Sequence, residues 1–249
     1  MNIKQIQLDT TDSTNHYILH VPLQENELVS VSALFQTRGH GQKGNFWEAE
    51  YGKNLLISIA FRASCVPVDR QFILSQALSL SIFDTLCQYI PHKENIYIKW
   101  PNDIYYNNKK ICGFLVSCDL EGMQIGRCIA GIGLNINQET FRSDAPNPVS
   151  LKQIIHDETP LNNVQQVLIR HIIHYYTLIK SNNFQIIEQD YFKHLYHKEG
   201  FHFYRDKDGI FSARITNINH QGILYLRDTE GKERRYAFKE VEQLITNPE

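Results

Sequence analysis

The chain has 249 residues, 42% hydrophobic and 21% charged, a composition that excludes disorder and allows one large domain or a large and a small one. No run of about 18 apolar residues occurs to cross a bilayer as a helix. The formal charge of −2 gives no long-range attraction for DNA or RNA, and basic residues are scattered apart from Lys232-Glu233-Arg234-Arg235, so nucleic acid is not expected as a partner. The amino terminus lacks a basic segment followed by an apolar one, which predicts a cytoplasmic protein with no membrane partner. Five cysteines, an odd number without a C-x-x-C pair, signal neither a disulfide framework nor a zinc site and read as reduced thiols. His171 with His174, and His194 with His197, have helical spacing without the context of a metal motif.

In chain order, residues 3–8, 28–35 and 54–61 are predicted strands, so three strands come before the first long helix. That helix begins after Pro67 with Asp69 as its cap. It carries Leu74, Leu78, Ile82, Leu86 and Ile90 at every fourth position and stops at Pro91. Ile96-Tyr97-Ile98 reads as the next strand, ended by Pro101, which has no backbone donor. Asn107-Asn108 turns the chain, since asparagine tolerates positive φ, and 109–117 returns as a mostly buried strand. Gly122 marks the turn into a further strand over 126–136. Helical spacing resumes with Val164, Val167, Leu168, Ile172, Tyr175 and Ile179 on one face, and a second helix covers 185–196 with Gly200 as terminator. Short strands separated by Asp208-Gly209, His220-Gln221-Gly222 and Glu230-Gly231 then predict a small meander or barrel. The chain therefore divides near residue 198, into 1–198 and 199–249. Strands and helices do not alternate strictly, which favours α+β with a mixed or antiparallel sheet over a doubly wound parallel fold.

Lys99-Trp100-Pro101-Asn102-Asp103 and Lys110-Ile111-Cys112-Gly113 place two lysines and an aspartate on neighbouring strand ends. Lysine is a compact point charge suited to phosphate or carboxylate oxygens, and Asp103 suits either a lysine or a magnesium ion; a surface hairpin with solvated lysines is the alternative. Gly39-His40-Gly41-Gln42-Lys43-Gly44 fits G-x-G-x-x-G after a strand, but Asn45-Phe46-Trp47-Glu48 does not open the helix that a dinucleotide fingerprint requires. Either the three glycines free backbone amides to wrap an anion, with charge from Arg38 and Lys43, or the segment is a surface turn. Asp12-Ser13-Thr14-Asn15 reads as a helix cap, a role compatible with holding polar ligand edges. Gly131-Ile132-Gly133-Leu134-Asn135 is a glycine-rich strand, where missing side chains mark a ligand or a backbone lying close.

Taken in order, with Gln36-Thr37 before the glycine loop and Trp47 after it, these segments resemble those of the bacterial biotin protein ligases, relatives of the lipoate ligases. The resemblance implies a class II synthetase-like α+β catalytic domain, with a mixed central sheet and flanking helices, followed by a small SH3-like β-barrel. It implies that Ser13, Thr14, Asn15 and Gln36 hydrogen-bond the biotin ring system. Gly39, His40, Gly41 and Gln42 would cover its carboxylate side, beside Gly113, with Lys110 as the catalytic lysine. Asn102 and Asn135 match positions near the adenine, and Trp47 the aromatic that closes over the nucleotide. Arg38 and Lys43 would add charge there, and Lys99 and Asp103 would lie by the phosphates and Mg2+. The implied chemistry has two steps: biotin's carboxylate attacks the α-phosphorus of ATP to give biotinyl-5'-AMP and pyrophosphate, and a lysine of a biotin carboxyl carrier protein then takes the biotinyl group.

The loop departs from the family pattern, since His40 and Gln42 stand where arginines are usual and Arg38 where a small residue is usual. A lipoate ligase would show Arg-Arg-x-Ser-Gly-Gly-Gly in place of this loop. A noncatalytic biotin sensor would follow if the altered loop had lost chemistry, and the presence of Lys110, Lys99, Asp103 and Trp47 stands against that. The stretch before Asp12 is too short for the helix-turn-helix that some members carry, so a ligase without a DNA-binding domain is expected. Some members form homodimers.

Overall fold

The computed structural model describes residues 1–41, 46–143 and 147–245. Runs of β-branched and aromatic residues form β1 (Asn2–Thr11), β2 (Glu27–Gln36), β3 (Leu55–Arg62), β4 (Ile96–Lys99), β5 (Asp103–Tyr106), β6 (Lys109–Glu121) and β7 (Gln124–Leu134). They make one sheet of order β1-β2-β3-β7-β6-β5-β4. Only β1 and β2 run parallel, linked through the short helix α1 (Thr14–Leu19); the other pairs are antiparallel, so the sheet is mixed as expected. Asn107 takes φ 51° at the β5–β6 turn, the left-handed conformation that asparagine tolerates.

Side chains alternate across this sheet, and the two faces have different fates. Leu55, Ile57 and Ile59 of β3, with Ile132 and Leu134 of β7, enter the main core beneath α2 (Phe72–Leu86). On the opposite face Val29, Val31, Ala60 and Ile129 pack with Ile18 and Val21 around α1. The stripe expected on α2 is exceeded: Leu74, Leu80, Ile82 and Phe83 are all buried, because α2 lies between the sheet and the later helices α4 (Leu161–Lys180) and α5 (Phe184–Lys193). Its hydroxyls return to the helix backbone, Ser81 Oγ to Ala77 O at 2.7 Å and Thr85 Oγ1 to Ser81 O at 2.7 Å, which allows polar residues inside an apolar layer. Truncating a side chain such as Leu80 here would cost about 2–5 kcal/mol.

Three local expectations change. Asp69 falls in a 3-10 turn over Val68–Arg70, and α2 starts after Gln71 without a side-chain cap. Ser13 sits at the N-cap of α1 in extended conformation, yet its side chain makes no capping bond. The last helix stops at Lys193, and Gly200, at φ 80°, turns the chain further on. Between β7 and α4 lies a short helix, α3 (Leu151–Ile155), closed by a Ser150–Gln153 capping box that the sequence reading passed over.

The carboxy-terminal strands β8 (His202–Asp206), β9 (Gly209–Ile218), β10 (Leu224–Asp228), β11 (Glu233–Tyr236) and β12 (Glu242–Gln243) form a second, antiparallel sheet of order β11-β10-β9-β8-β12. Its apolar side, including Tyr204, Leu224 and Leu226, joins the main core. Trp100 Nε1 donates to Gly222 O at 3.0 Å across the junction. No helix among the described residues is long and apolar enough to cross a membrane.

Candidate active site

A cavity of about 570 Å³ opens on the α1 side of the first sheet. Its floor is glycine by register: Gly113 of β6 lies opposite Gly133 of β7, and Gly131 lies two residues away on the same face. A Cβ on Gly131 would collide with the Asn15 amide, and one on Gly133 with the Trp47 indole. The missing side chains therefore let α1 and the loop residue Trp47 lie directly on the sheet.

The wall beside Gly131 is polar. Gln36 Oε1 accepts from Thr14 N at 2.7 Å and from Thr14 Oγ1 at 3.0 Å. Ser58 Oγ lies 2.8 Å from Thr14 Oγ1 and 2.7 Å from Asn15 Oδ1, so its single proton joins the two residues. With Oδ1 held by Ser58, the Asn15 amide nitrogen is the group left over Gly131. Ser13, Thr14, Asn15 and Gln36 all line the cavity. The far end of α1 is clamped by Arg127, which donates to Ile18 O at 2.5 Å, Leu19 O at 3.2 Å and Val21 O at 3.2 Å.

The charged end depends on a bulge. Ile104 pairs with Cys112 and Tyr105 with Lys110, which makes Ile111 an extra residue on β6. Strict alternation would set Lys110 and Gly113 on opposite faces; the extra residue brings both into the cavity, where Lys110 Nζ meets Asp103 Oδ1 at 2.7 Å. Both side chains are 25% exposed, so the pair is screened only in part. Lys110 Nζ also lies 5.8 Å from the centre of the Trp47 ring, within cation–π range. Asn102 lines the same end and donates its amide to Phe114 O.

Other expected residues are placed differently. Lys99 does not line this cavity; it lines an adjoining cleft beneath the second sheet, which shares Asn102 and Asp103 with it. Its Nζ lies 3.4 Å from Tyr105 Oη, and burial, helped by Lys110 and opposed by Asp103, pulls its pKa below the usual lysine value. Arg38 is exposed and outside the cavity lining, and Gly39 is buried behind it, where its carbonyl accepts from Trp47 N at 3.1 Å. His40 and Gly41 reach the rim. Gln42 and Lys43 lie outside the described residues.

Two buried polar atoms of the lining have no partner among the described residues, Trp47 Nε1 and Asn135 Oδ1. Asn135 Nδ2 donates to Val149 O at 3.1 Å, which fixes the amide and leaves the oxygen as a free acceptor. Ser58 and Glu48 escaped the sequence reading. The signal for Ser58 was a lone hydroxyl in an apolar strand, on the same face as Leu56 and Ala60. Glu48 accepts from Arg142 N at 2.9 Å and Ser143 N at 2.7 Å, tying the Trp47 segment to the opposite rim. Burial raises the pKa of Glu48, but those hydrogen bonds outweigh it and hold the group below the usual carboxylate value.

The site thus sets a polar wall at one end and a lysine at the other of a glycine-floored cavity on a mixed sheet. Residues 7–135 match the model of the biotin/lipoate A/B protein ligase family, and the chain belongs to that family. It is 26% identical over 237 residues to the bifunctional ligase/repressor BirA of Bacillus subtilis, covering 92% of this chain and 70% of the relative. It is 29% identical over 173 residues to the biotin–[acetyl-CoA-carboxylase] ligase of Mycobacterium tuberculosis, covering 67% of this chain and 62% of the relative. The fold is similar to the biotin protein ligase of Aquifex aeolicus in complex with biotin and ATP, with a TM-score of 0.78 at 20% identity over 97% of this chain and 99% of that one.

Proposed function

We infer that this chain is an ATP-dependent biotin protein ligase, which makes biotinyl-5'-AMP and passes the biotinyl group to a lysine of a biotin carboxyl carrier protein. The observation that carries the reading is the wall of Thr14, Asn15 and Gln36, hydrogen-bonded from behind by Ser58, on a cavity whose other end holds Lys110. Biotin's ureido ring offers a carbonyl acceptor and two N–H donors to such a wall, whereas the dithiolane of lipoate offers neither. A site built to hydrogen-bond its substrate rejects an analogue that lacks the matching groups, because its own polar atoms are then left unpaired.

The chemistry asks little of the protein beyond placement and charge. Carboxylate and triphosphate repel each other, and Lys110 is the lysine among the described residues of the cavity lining that can draw both to one point. Attack of a carboxylate oxygen on the α-phosphorus forms the acyl phosphate bond and expels pyrophosphate. The carrier's lysine, as the free amine, then attacks the acyl carbon and expels AMP, with its proton lost to solvent. Trp47 Nε1 and Asn135 Oδ1 supply a donor and an acceptor to the nucleotide. Retaining the anhydride and excluding water is the role this reading gives the segment that follows Gly39.

The donor set does not make a resident metal site. Asp103 is the carboxylate between the lysines, it is already paired with Lys110, and no group of three metal-ligating side chains occurs among the described residues. Magnesium therefore enters in this reading with ATP, as part of the substrate, and no step is assigned to a protein-bound ion. Residues 1–198 constitute the ligase unit, and residues 199–249 a smaller unit bordering the cleft that holds Lys99.

The test is pyrophosphate release with MgATP and either biotin or lipoate, followed by transfer of label to an apo biotin carrier domain. Release with biotin and labelled carrier is expected. Turnover with lipoate alone would overturn the substrate, and binding of biotin without pyrophosphate release would make the protein a sensor.

A further inference from the structure

Five free cysteines are distributed through the fold, and two of them are direct neighbours on β6 and β7. Cys118 of β6 lies opposite Cys128 of β7, the last regular pair before the ladder slips between Cys118 and Leu120. Residues directly opposite in an antiparallel ladder point to the same face, with Cα atoms about 4.5 or 5.5 Å apart, and both spacings fall in the range a disulfide spans. Cys128 is fully buried in the main core, and Cys118 is half-buried at its margin. Both lie on the helix side of the sheet, away from Leu115 and Gly131 of the cavity.

We propose that Cys118 and Cys128 form a dithiol modification site that low-molecular-weight disulfides convert to a cross-strand disulfide. The order of events follows from exposure. The sulfur of Cys118, as thiolate, attacks one sulfur of the reagent; a mixed disulfide forms, and the first reagent thiol leaves. Cys128 loses its proton, its sulfur attacks the Cys118 sulfur, and the second reagent thiol leaves. Two protein thiols are oxidised by two electrons, and one reagent disulfide is reduced to two thiols.

The surroundings select this pair. The neighbouring Cys128 thiol lowers the Cys118 pKa against burial and the charge of Asp119. The Cys118 sulfur and burial push the Cys128 thiol up, so the first attack falls to Cys118 and Cys128 acts only as the second thiol. Burial pushes the Cys65, Cys87 and Cys112 thiols up as well, and none of these has a cysteine opposite it in a ladder. The slip beside Cys118 also adds local twist at the end of the regular ladder.

The experiment treats the reduced, folded protein with hydroxyethyl disulfide and follows intact mass and tryptic peptides without reduction. Loss of two hydrogens from the chain is expected, with peptide 111–127 joined to peptide 128–142 and fragmentation placing the bridge at Cys118 rather than Cys112. Cys118→Ser should abolish the bridge, and Cys128→Ser should stop at a stable hydroxyethyl adduct on Cys118. A persistent adduct on Cys118 in the parent protein, or a Cys118 that reacts no faster than Cys65, would overturn the proposal without touching the ligase reading.

Discussion

Lys110 Nζ stands 2.7 Å from Asp103 Oδ1 across the β5–β6 hairpin, and the pair exists because Ile111 is an extra residue in the ladder. Asp103 holds the ammonium at the cavity end until a substrate anion competes for it. Lys110→Ala should therefore lower biotin-dependent pyrophosphate release by about a hundredfold to a thousandfold, the scale seen when a placed charge-stabilising donor is removed. Asp103→Asn keeps the shape and frees the lysine, and a fall nearer tenfold is expected. Single-turnover assays at saturating biotin and ATP check both; equal losses in the two variants would contradict the assignment of charge stabilisation to Lys110 alone.

Ser58 makes no contact with the cavity, yet it sets the orientation of Asn15 and Thr14 through bonds of 2.7 and 2.8 Å. Ser58→Ala should raise the biotin Kd about fivefold, which corresponds to about 1 kcal/mol for one lost hydrogen bond. The ATP Kd should not change. Calorimetric titration of each ligand separates the two, and a parallel loss for ATP would mean a general disturbance of β3 instead.

It was the resemblance to the biotin protein ligases, carried by motifs at strand ends and loops, that grouped Ser13, Thr14, Asn15, Gln36, Trp47, Asp103, Lys110 and Asn135, and all eight line one cavity. The mixed α+β class was legible for a related reason, since period-2 and period-3.6 patterns survive in the apolar runs. What was hidden is register. A bulge leaves no mark in the residue Ile111, and the pairing of Cys118 with Cys128 depends on a hairpin whose alignment no spacing rule supplies. Lys99 is the instructive miss: it lies directly opposite Asp103 in the β4–β5 ladder, but its long side chain turns over Tyr105, with Nζ 5.0 Å from the ring centre, into the adjoining cleft.

Gly133 and Gly131 should fail in different ways. A methyl group at Gly133 must push the Trp47 indole off the sheet, whereas one at Gly131 must displace the Asn15 amide. Gly133→Ala is expected to raise the KM for ATP about tenfold with biotin affinity retained, and Gly131→Ala to weaken biotin with ATP spared. Steady-state kinetics with each substrate varied in turn will tell the two apart. The same shift in both variants would show that the floor acts as one unit.

The last prediction concerns stability against pH. His197 stacks between Tyr196 and His202, with ring centres 3.8 Å from each, and its Nδ1 is buried without a partner among the described residues. Burial, then His202 and Lys99, push its pKa down to about 4. A histidine that is harder to protonate when folded contributes its full share above its unfolded value of about 6.5, and that share is lost as pH falls from there toward the folded value. The parent protein should lose Tm between pH 6.5 and 4, before the hydrogen-bonded carboxylates Asp206 and Asp228, whose values are lowered, begin to titrate. His197→Asn removes the titrating ring and tolerates the local φ of 54°, so its Tm should fall less steeply over that window. Melting curves of the two proteins across pH 8 to 4 decide the matter, and parallel curves would assign the acid sensitivity to other groups, with His171 and His194 next in line because burial lowers both.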